Sequence, residues 1–475
     1  MAAQKYDYDL LVIGAGAAGS GAASTAAQQG ARVALVERDT IGGTCLNYGC
    51  DPTKTLLHTA ALLRRAQHAD AYGLHIPVAH ANWAAVLAHV HQVLTQIRGG
   101  TPEEARAGLA KQGITVLIGE ARFISPHAVA LSSDLASLSP GKKRTEQENL
   151  ISAARIIIAT GSQAVVPPIE GLREAGFITN VEAVSLPVLP RRLAIIGGGP
   201  LGIEFAQMFH RFGVQVTVLE NSPHLLDKED RELANCLCKL LTKEGIRLET
   251  SVQVQRVERA DGGKRLAIRC GDGVEENLVV DEILLATGRQ PVLDPLHLEV
   301  AGVAIHEHGI AVDATLRTSV PHIWAAGDVI GGYQFTHVAY EQGRLAARNA
   351  FAQEPRPFDD HAIPWVIYTD PALAHVGKTE EQLRAEGRAY QVGRMPFSQV
   401  ERAIANGETN GLVKLLVDPN GAILGGHILA QNADDLLAPI ILAMRTGLPA
   451  ATIAATILPY PTMSEGVRWA AERIA

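Results

Sequence analysis

The chain opens on an apolar run, Tyr8 to Val12, that breaks at Gly14-Ala15-Gly16-Ala17-Ala18-Gly19. It continues as an alanine-rich helical stretch and returns to an apolar run, Val33-Ala34-Leu35-Val36, closed by Glu37. Short continuous apolar runs bounded by glycine turns predict buried parallel strands, and a helical stretch between two of them predicts a β-α-β unit. The same order returns at Leu193-Ala194-Ile195-Ile196, Gly197-Gly198-Gly199-Pro200-Leu201-Gly202, a helix, and Val216-Thr217-Val218-Leu219 closed by Glu220. In both units the acid stands 23 positions beyond the first glycine. One glycine fingerprint alone is weak. Two with equal spacing, each bracketed by strands and ended by an acid, predict two dinucleotide sites, because each unit builds a phosphate site at a helix N-terminus.

A second repeat is Ala159-Thr160-Gly161, after the strand-like Arg155 to Ile158, and Ala286-Thr287-Gly288, after Glu282 to Leu285. Between Leu131 and Leu150 the chain is rich in Ser, Lys, Gly and Glu, which predicts a solvated hairpin excursion. From about Pro355 onward, strand-like runs at Leu412 to Val417 and Ile423 to Ile428 mix with helical stretches at Ala433 to Arg445 and Ser464 to Ile474.

A chain of 475 residues is too long for one core and should divide into several domains. No apolar run reaches the roughly 18 residues that span a bilayer, so no membrane partner is expected. The net charge is -8, with Lys and Arg scattered among acids, which excludes a nucleic-acid footprint. Met1 to Tyr6 leads almost at once into the first strand, without a leader pattern, and the cysteine count is a sparse five. Both features predict a cytoplasmic, reducing setting.

Chemistry concentrates in Gly42-Gly43-Thr44-Cys45-Leu46-Asn47-Tyr48-Gly49-Cys50-Asp51-Pro52-Thr53-Lys54, directly after the first nucleotide unit. A disulfide across four intervening residues is a small ring, easily opened and too local to staple a large fold, so the pair reads as redox chemistry. Cys236 and Cys238, two apart on a predicted helix, and Cys270, alone in a predicted strand, read as packing residues. Six of the 17 histidines, His58, His68, His75, His80, His89 and His91, crowd one region. His89 and His91 have poor ligand spacing on a helix, so a solvated surface is the better reading than a metal site.

The motifs together, in order from Tyr6 to Arg473, resemble the class I pyridine nucleotide-disulfide oxidoreductases, the family of dihydrolipoamide dehydrogenase, glutathione reductase and mercuric reductase. The resemblance implies an α/β fold with two Rossmann-like dinucleotide-binding domains, for FAD and NAD(P), and a C-terminal α+β interface domain. The expected bounds are 1–158 for the first part of the FAD domain with the redox pair, 159–286 for the NAD(P)H domain, 287–354 for the second FAD part, and 355–475 for the interface domain of a homodimer.

At the FAD site the expected residues are Gly14, Gly16, Gly19 and Glu37, with Gly43, Thr44, Lys54, Thr160, Gly161, Gly327 and Asp328, the last aspartate against the ribityl chain. Gly197, Gly199, Gly202, Glu220 and Gly288 are expected at the nicotinamide cofactor. Glu220 binds a free ribose hydroxyl and repels a 2'-phosphate, and no arginine follows in Asn221 to Leu226, so NADH is expected over NADPH. The resemblance further implies an electron path from NADH through FAD to Cys45 and Cys50, with Cys50 as the charge-transfer thiolate and Cys45 as the interchange thiol. Glu204 is expected to pair with Lys54. Helix placement and Lys54 should lower the thiol pKa values, while Asp51, where relatives are usually apolar, works against that.

The stretch Tyr460-Pro461-Thr462-Met463-Ser464-Glu465 departs from the disulfide-reducing pattern His-Pro-Thr-x-x-Glu. An imidazole titrates near pH ~6.5 and a phenol near ~10, so Tyr460 is a poor proton shuttle and Glu465 loses its partner. A tyrosine here resembles mercuric reductases, in which Cys45 and Cys50 would be ligands of a substrate metal ion rather than of a resident one. The vicinal cysteine pair of those enzymes is not present in Arg468 to Ala475. The expected activity is reduction of a metal ion or small oxidant at the dithiol. The alternatives are a dihydrolipoamide dehydrogenase or other disulfide reductase, and a redox-sensing flavoprotein that does not turn over.

Overall fold

A computed structural model of the chain describes residues 6–132 and 150–474. Most of the predicted hairpin excursion between Leu131 and Leu150 lies outside the described residues. Its two arms, Ala128–Leu131 and Leu150–Ile158, pair antiparallel through Ala128 with Ser152 and Ala130 with Leu150. The chain forms two compact units, one from residues 1–55, 87–165 and 288–359, the other from 56–86, 166–287 and 360–475.

The first unit is built on a sheet whose parallel strands run in the order Ile114–Ile118, Val33–Glu37, Tyr8–Ile13, Leu150–Ile158, with Ile323–Ala325 pairing beyond the last. Antiparallel strands Ala128–Leu131 and Ala121–Ser125 extend it. Leu10, Leu11 and Val12 are all fully buried, the mark of a sheet covered on both faces. Alternate residues serve the two cores. Leu10, Val12, Leu35 and Ile157 pack with the helices Ala17–Gln28 and Thr336–Phe351, whereas Leu11, Ile13, Val36 and Ile158 pack with Leu296, Ile310 and Val329. The two helices approach so closely that a Cβ on Gly343 would lie 1.9 Å from the Ala18 carbonyl oxygen.

In the second unit a parallel sheet runs in the order Arg247–Glu249, Gln215–Leu219, Arg192–Ile196, Glu282–Leu285, with the helix Pro200–Arg211 entering after the central strand. A five-stranded antiparallel sheet is formed by Pro364–Ile367, Ala372–Gly377, Ile423–Ala430, Leu412–Val417 and Gln391–Pro396. These are the two nucleotide-type folds and the C-terminal α+β fold that the sequence predicts. The predicted helix Ala433 to Arg445 is two, Ala433–Leu436 and Ala438–Thr446, because Pro439 has no N–H to continue the first and instead starts the second.

Buried charge marks the second unit. Lys414, 1% exposed, is ringed by Asp230 at 2.9 Å, Glu232 at 3.0 Å and Glu380 at 2.6 Å. Asp230 also caps the helix Arg231–Glu244. Nearby, His375 and His427 each donate an Nε2–H to a backbone carbonyl, of Gly377 at 2.8 Å and Lys378 at 3.0 Å. Burial, reinforced by the proximity of His375, pushes His427 down to about 3. Among the described residues no helix is long and apolar enough to cross a membrane.

Candidate redox and dinucleotide sites

Both glycine loops follow one geometric rule. In the first, Gly14 has φ +103 and a Cβ there would lie 2.3 Å from the Ala159 carbonyl oxygen, while a Cβ on Gly19 would lie 1.7 Å from that of Gly14. In the second, Gly197 has φ +111 with the Ala286 carbonyl at 2.3 Å, and Gly202 meets the Gly197 carbonyl at 2.1 Å. The middle glycines differ: a Cβ on Gly16 would meet only the Gly43 Cα at 3.9 Å, and one on Gly199 would meet nothing within 4 Å. The fold itself requires the first and third glycines. Bareness at the middle one leaves backbone open at a helix N-terminus with no side-chain cap, a cradle that fits a diphosphate.

The closing acids repeat the symmetry. Glu37 accepts from the N–H of Ala15 at 2.8 Å and of Asp39 at 2.9 Å. Glu220 accepts from Gly198 at 2.6 Å and Ser222 at 2.8 Å. Each carboxylate therefore braces its own loop at the place where a ribose would lie. The residues fit the two dinucleotides that the motifs imply.

The redox segment is seated on the first loop. Gly42 and Gly43 have φ +104 and +60, and a Cβ on Gly43 would lie 2.6 Å from the Gly16 Cα, so the Gly-Gly step is needed both for its turn and for its approach. The short helix Gly43–Tyr48 carries Cys45, and Cys50 opens the helix Cys50–Gln67. Asn47 ties the turn by donating to the Gly43 carbonyl at 2.9 Å and is itself held by Arg98 at 2.8 Å.

Both cysteines are free thiols, and their surroundings divide them. Cys50 is lowered to about 6, first by a hydrogen bond from Cys45, then by the Thr336 hydroxyl and the Lys54 charge, against burial and Asp51. The Thr336 Oγ1 lies 3.3 Å from the Cys50 Sγ. The same hydrogen bond, with burial, pushes Cys45 up. The expected lowering of both thiols thus holds for Cys50 and is reversed at Cys45. Burial raises Asp51 against the pull of Lys54.

Thr160 donates to the Val292 carbonyl at 2.9 Å, and Gly161 and Gly288 have φ +69 and +100. The Gly327 N–H donates to Gln342 at 2.9 Å, and Asp328 accepts from the Ser162 hydroxyl at 2.6 Å. Cys45, Cys50 and Lys54 belong to the first unit; Glu204, Tyr460 and Glu465 belong to the second. Glu204, 4% exposed, accepts from the Tyr368 N–H at 2.8 Å. Tyr460 is 71% exposed, and buried Glu465 accepts from the Thr462 N–H at 3.1 Å, bracing the turn before its helix. Cys236, Cys238 and Cys270 are half-buried, and burial raises each of them. His58, His68, His75, His80, His89 and His91 are all exposed, and among the described residues no group of three or more His, Cys, Asp or Glu could hold a metal ion.

Sequence reasoning did not find Thr336, Ser162 and Arg289. Thr336 carries no local signal, since it meets Cys50 across 286 positions. Ser162 and Arg289 did have one, because each directly follows an Ala-Thr-Gly repeat.

Residues 8–343 match the model of the pyridine nucleotide-disulphide oxidoreductases, and residues 363–471 match the dimerisation domain of the same family. A mercuric reductase of Bacillus cereus is 34% identical over 98% of this chain and 71% of its own length. A dihydrolipoyl dehydrogenase of Cupriavidus necator is 35% identical over 98% of this chain and 97% of its own. The solved Cu(II) complex of the HOCl-induced flavoprotein disulfide reductase RclA from Escherichia coli is 31% identical, with a TM-score of 0.87 over 99% of this chain and 100% of that one. The family implies FAD and a pyridine nucleotide as cofactors, both of which the two glycine cradles fit. The chain belongs to the pyridine nucleotide-disulfide oxidoreductases.

Proposed function

We propose that this oxidoreductase draws electrons from NADH and reduces a soft metal ion captured by Cys45 and Cys50. The feature that carries the reading is the divided dithiol, in which the hydrogen bond between the two sulfurs lowers Cys50 to about 6 and raises Cys45. Soft cations bind thiolate sulfur. The first bond therefore forms at Cys50 without a proton transfer, and closing the chelate releases one proton from Cys45. A thiophilic cation drives that release by itself. Disulfide exchange instead needs a shuttle to carry the proton, a role for which Tyr460 is poorly suited. The mercuric reductase relatives and the copper complex of the solved neighbour support a metal acceptor.

Gly14, Gly16, Gly19, Glu37, Gly43, Thr44, Lys54, Thr160, Gly161, Gly327 and Asp328 would hold FAD. Gly197, Gly199, Gly202, Glu220 and Gly288 would hold the nicotinamide cofactor. Bound flavin supplies the two-electron step between nucleotide and sulfur. Glu220 sets the nucleotide choice, since its carboxylate, fixed by Gly198 and Ser222, would meet a 2'-phosphate with like charge. The dimerisation match and the exposure of Tyr460 support a homodimer in which Tyr460 serves the dithiol of the other subunit. Five cysteines, all free, suit the reducing cytoplasm.

The dihydrolipoyl dehydrogenase relatives, matched at equal coverage of this chain, keep a disulfide reductase as the second reading. Anaerobic oxidation of NADH by the FAD-loaded protein, with thiol-complexed Hg(II) or lipoamide at equal concentration and Cys45→Ser as control, separates the two. Cys45-dependent turnover with the metal alone is expected, with NADH preferred over NADPH in kcat/KM. Turnover with lipoamide alone overturns the metal reading, and equal or better use of NADPH overturns the nucleotide assignment.

A further inference from the structure

The two Ala-Thr-Gly repeats bring the residues that follow them together. Ser162–Ala164 and Arg289–Pro291 form a short antiparallel pair, with Arg289 opposite Ala164 and Ser162 opposite Pro291. The Arg289 Nε donates to the Ser162 Oγ at 2.7 Å, and Nη2 donates to the Ser162 carbonyl at 2.7 Å. A serine hydroxyl has one proton, and with the guanidinium on its acceptor side that proton goes to the Asp328 Oδ2, 2.6 Å away. Asp328 itself follows Gly327, whose φ of +80 and bond to Gln342 fix the backbone. The Arg289 side chain is 23% and that of Asp328 21% exposed, with 4.0 Å between the ionic atoms. The carboxylate is thus held from one side through a serine, and the cation behind it is largely shielded from water.

We propose that Arg289 and Ser162 form a positioning relay that fixes the Asp328 carboxylate for the flavin side chain. The relay rests on the assignment of Asp328 to the flavin and not on the identity of the electron acceptor. Lysine cannot replace the fork, because holding one serine by hydroxyl and carbonyl together needs two N–H groups in fixed geometry.

The test compares Ser162→Ala, Ser162→Thr, Arg289→Lys and Arg289→Met in the full chain. FAD dissociation is followed by flavin fluorescence. Ser162→Ala should weaken FAD about tenfold, the scale of a lost hydrogen bond to a charged group. Arg289→Met and Arg289→Lys should weaken it similarly, whereas Ser162→Thr, which keeps the hydroxyl, should retain it. Wild-type FAD affinity in Ser162→Ala overturns the relay, whatever the arginine variants do, and this substitution, which removes a single oxygen, decides the matter even if an arginine variant does not fold. FAD affinity involves no acceptor, so failure of the metal reading would leave this result standing.

Discussion

Cys45 and Cys50 carry the same thiol, and one hydrogen bond sends them in opposite directions. Because the first cause of the low value at Cys50 is the proton donated by Cys45, removing that donor should matter more than any other local change. The thiolate absorbance of the reduced protein is expected to appear with a midpoint near 6, to move up in Cys45→Ala, and to move down in Asp51→Asn, where the opposing charge is gone. A thiol lowered in this way is reactive above its pKa and loses reactivity as the pH falls through it, so metal capture should fall below about 6. A midpoint that ignores Cys45→Ala would show that Lys54 and Thr336 suffice. The pair, Lys54 and Asp51 were legible because all lie within one decapeptide. Thr336 was not, since a contact made only by tertiary folding leaves no mark on local pattern.

At the scale of elements, each β-α-β unit was legible because its glycines and its acid stand at fixed offsets along one strand-turn-helix. What the pattern could not say is which glycine the fold needs and which is left bare for a ligand. Gly199 has φ -76, which any residue adopts, and open space around it, whereas a Cβ on Gly202 would strike the Gly197 carbonyl. Gly199→Ala should therefore unfold within about 1 kcal/mol of the parent yet bind NADH at least tenfold more weakly, while Gly202→Ala should lose about 2–4 kcal/mol of stability. Denaturant titration and nucleotide titration of the two variants check this, and equal nucleotide affinity in Gly199→Ala would refute the cradle. The divided helix at Leu437 shows a different limit: Ala433 to Arg445 has a helical pattern throughout, and the break comes from the missing N–H of Pro439 alone.

At the scale of the molecule, the least legible feature is the buried polar centre of the second unit. His375 and His427 stand on strands whose neighbours are apolar, and nothing in the alternation foretold two sealed imidazoles beside Asp230 and Lys414. His427 consequently links stability to acidity. Its ordinary value is 6.5 and its folded value about 3, so below pH 6.5 the unfolded chain takes up a proton that the folded one refuses. Stability should fall as the pH drops from 6.5 toward 3, and between 6.5 and 5 most carboxylates are still ionised and contribute little. In His427→Asn the denaturant midpoint should depend less on pH across that upper window; an unchanged slope would assign the effect elsewhere.

The strand Ile323–Ala325 has a bearing on how the chain is made. It pairs with Ile156 to Ile158, so its first residue arrives 167 positions after its partner. Until then the apolar edge at Ile156 to Ile158 stays open, the kind of edge that recruits other chains. The four parallel strands of the second unit need nothing beyond Leu285 and can pair while the first sheet still waits. Synthesis therefore reverses the order of the sequence: the nucleotide unit inserted in the middle can close its sheet first, and the unit that begins the chain completes its own only after emergence of a three-residue strand. Any delay in translation between Leu285 and Ile323 lengthens the life of that open edge, and with it the demand on holding chaperones.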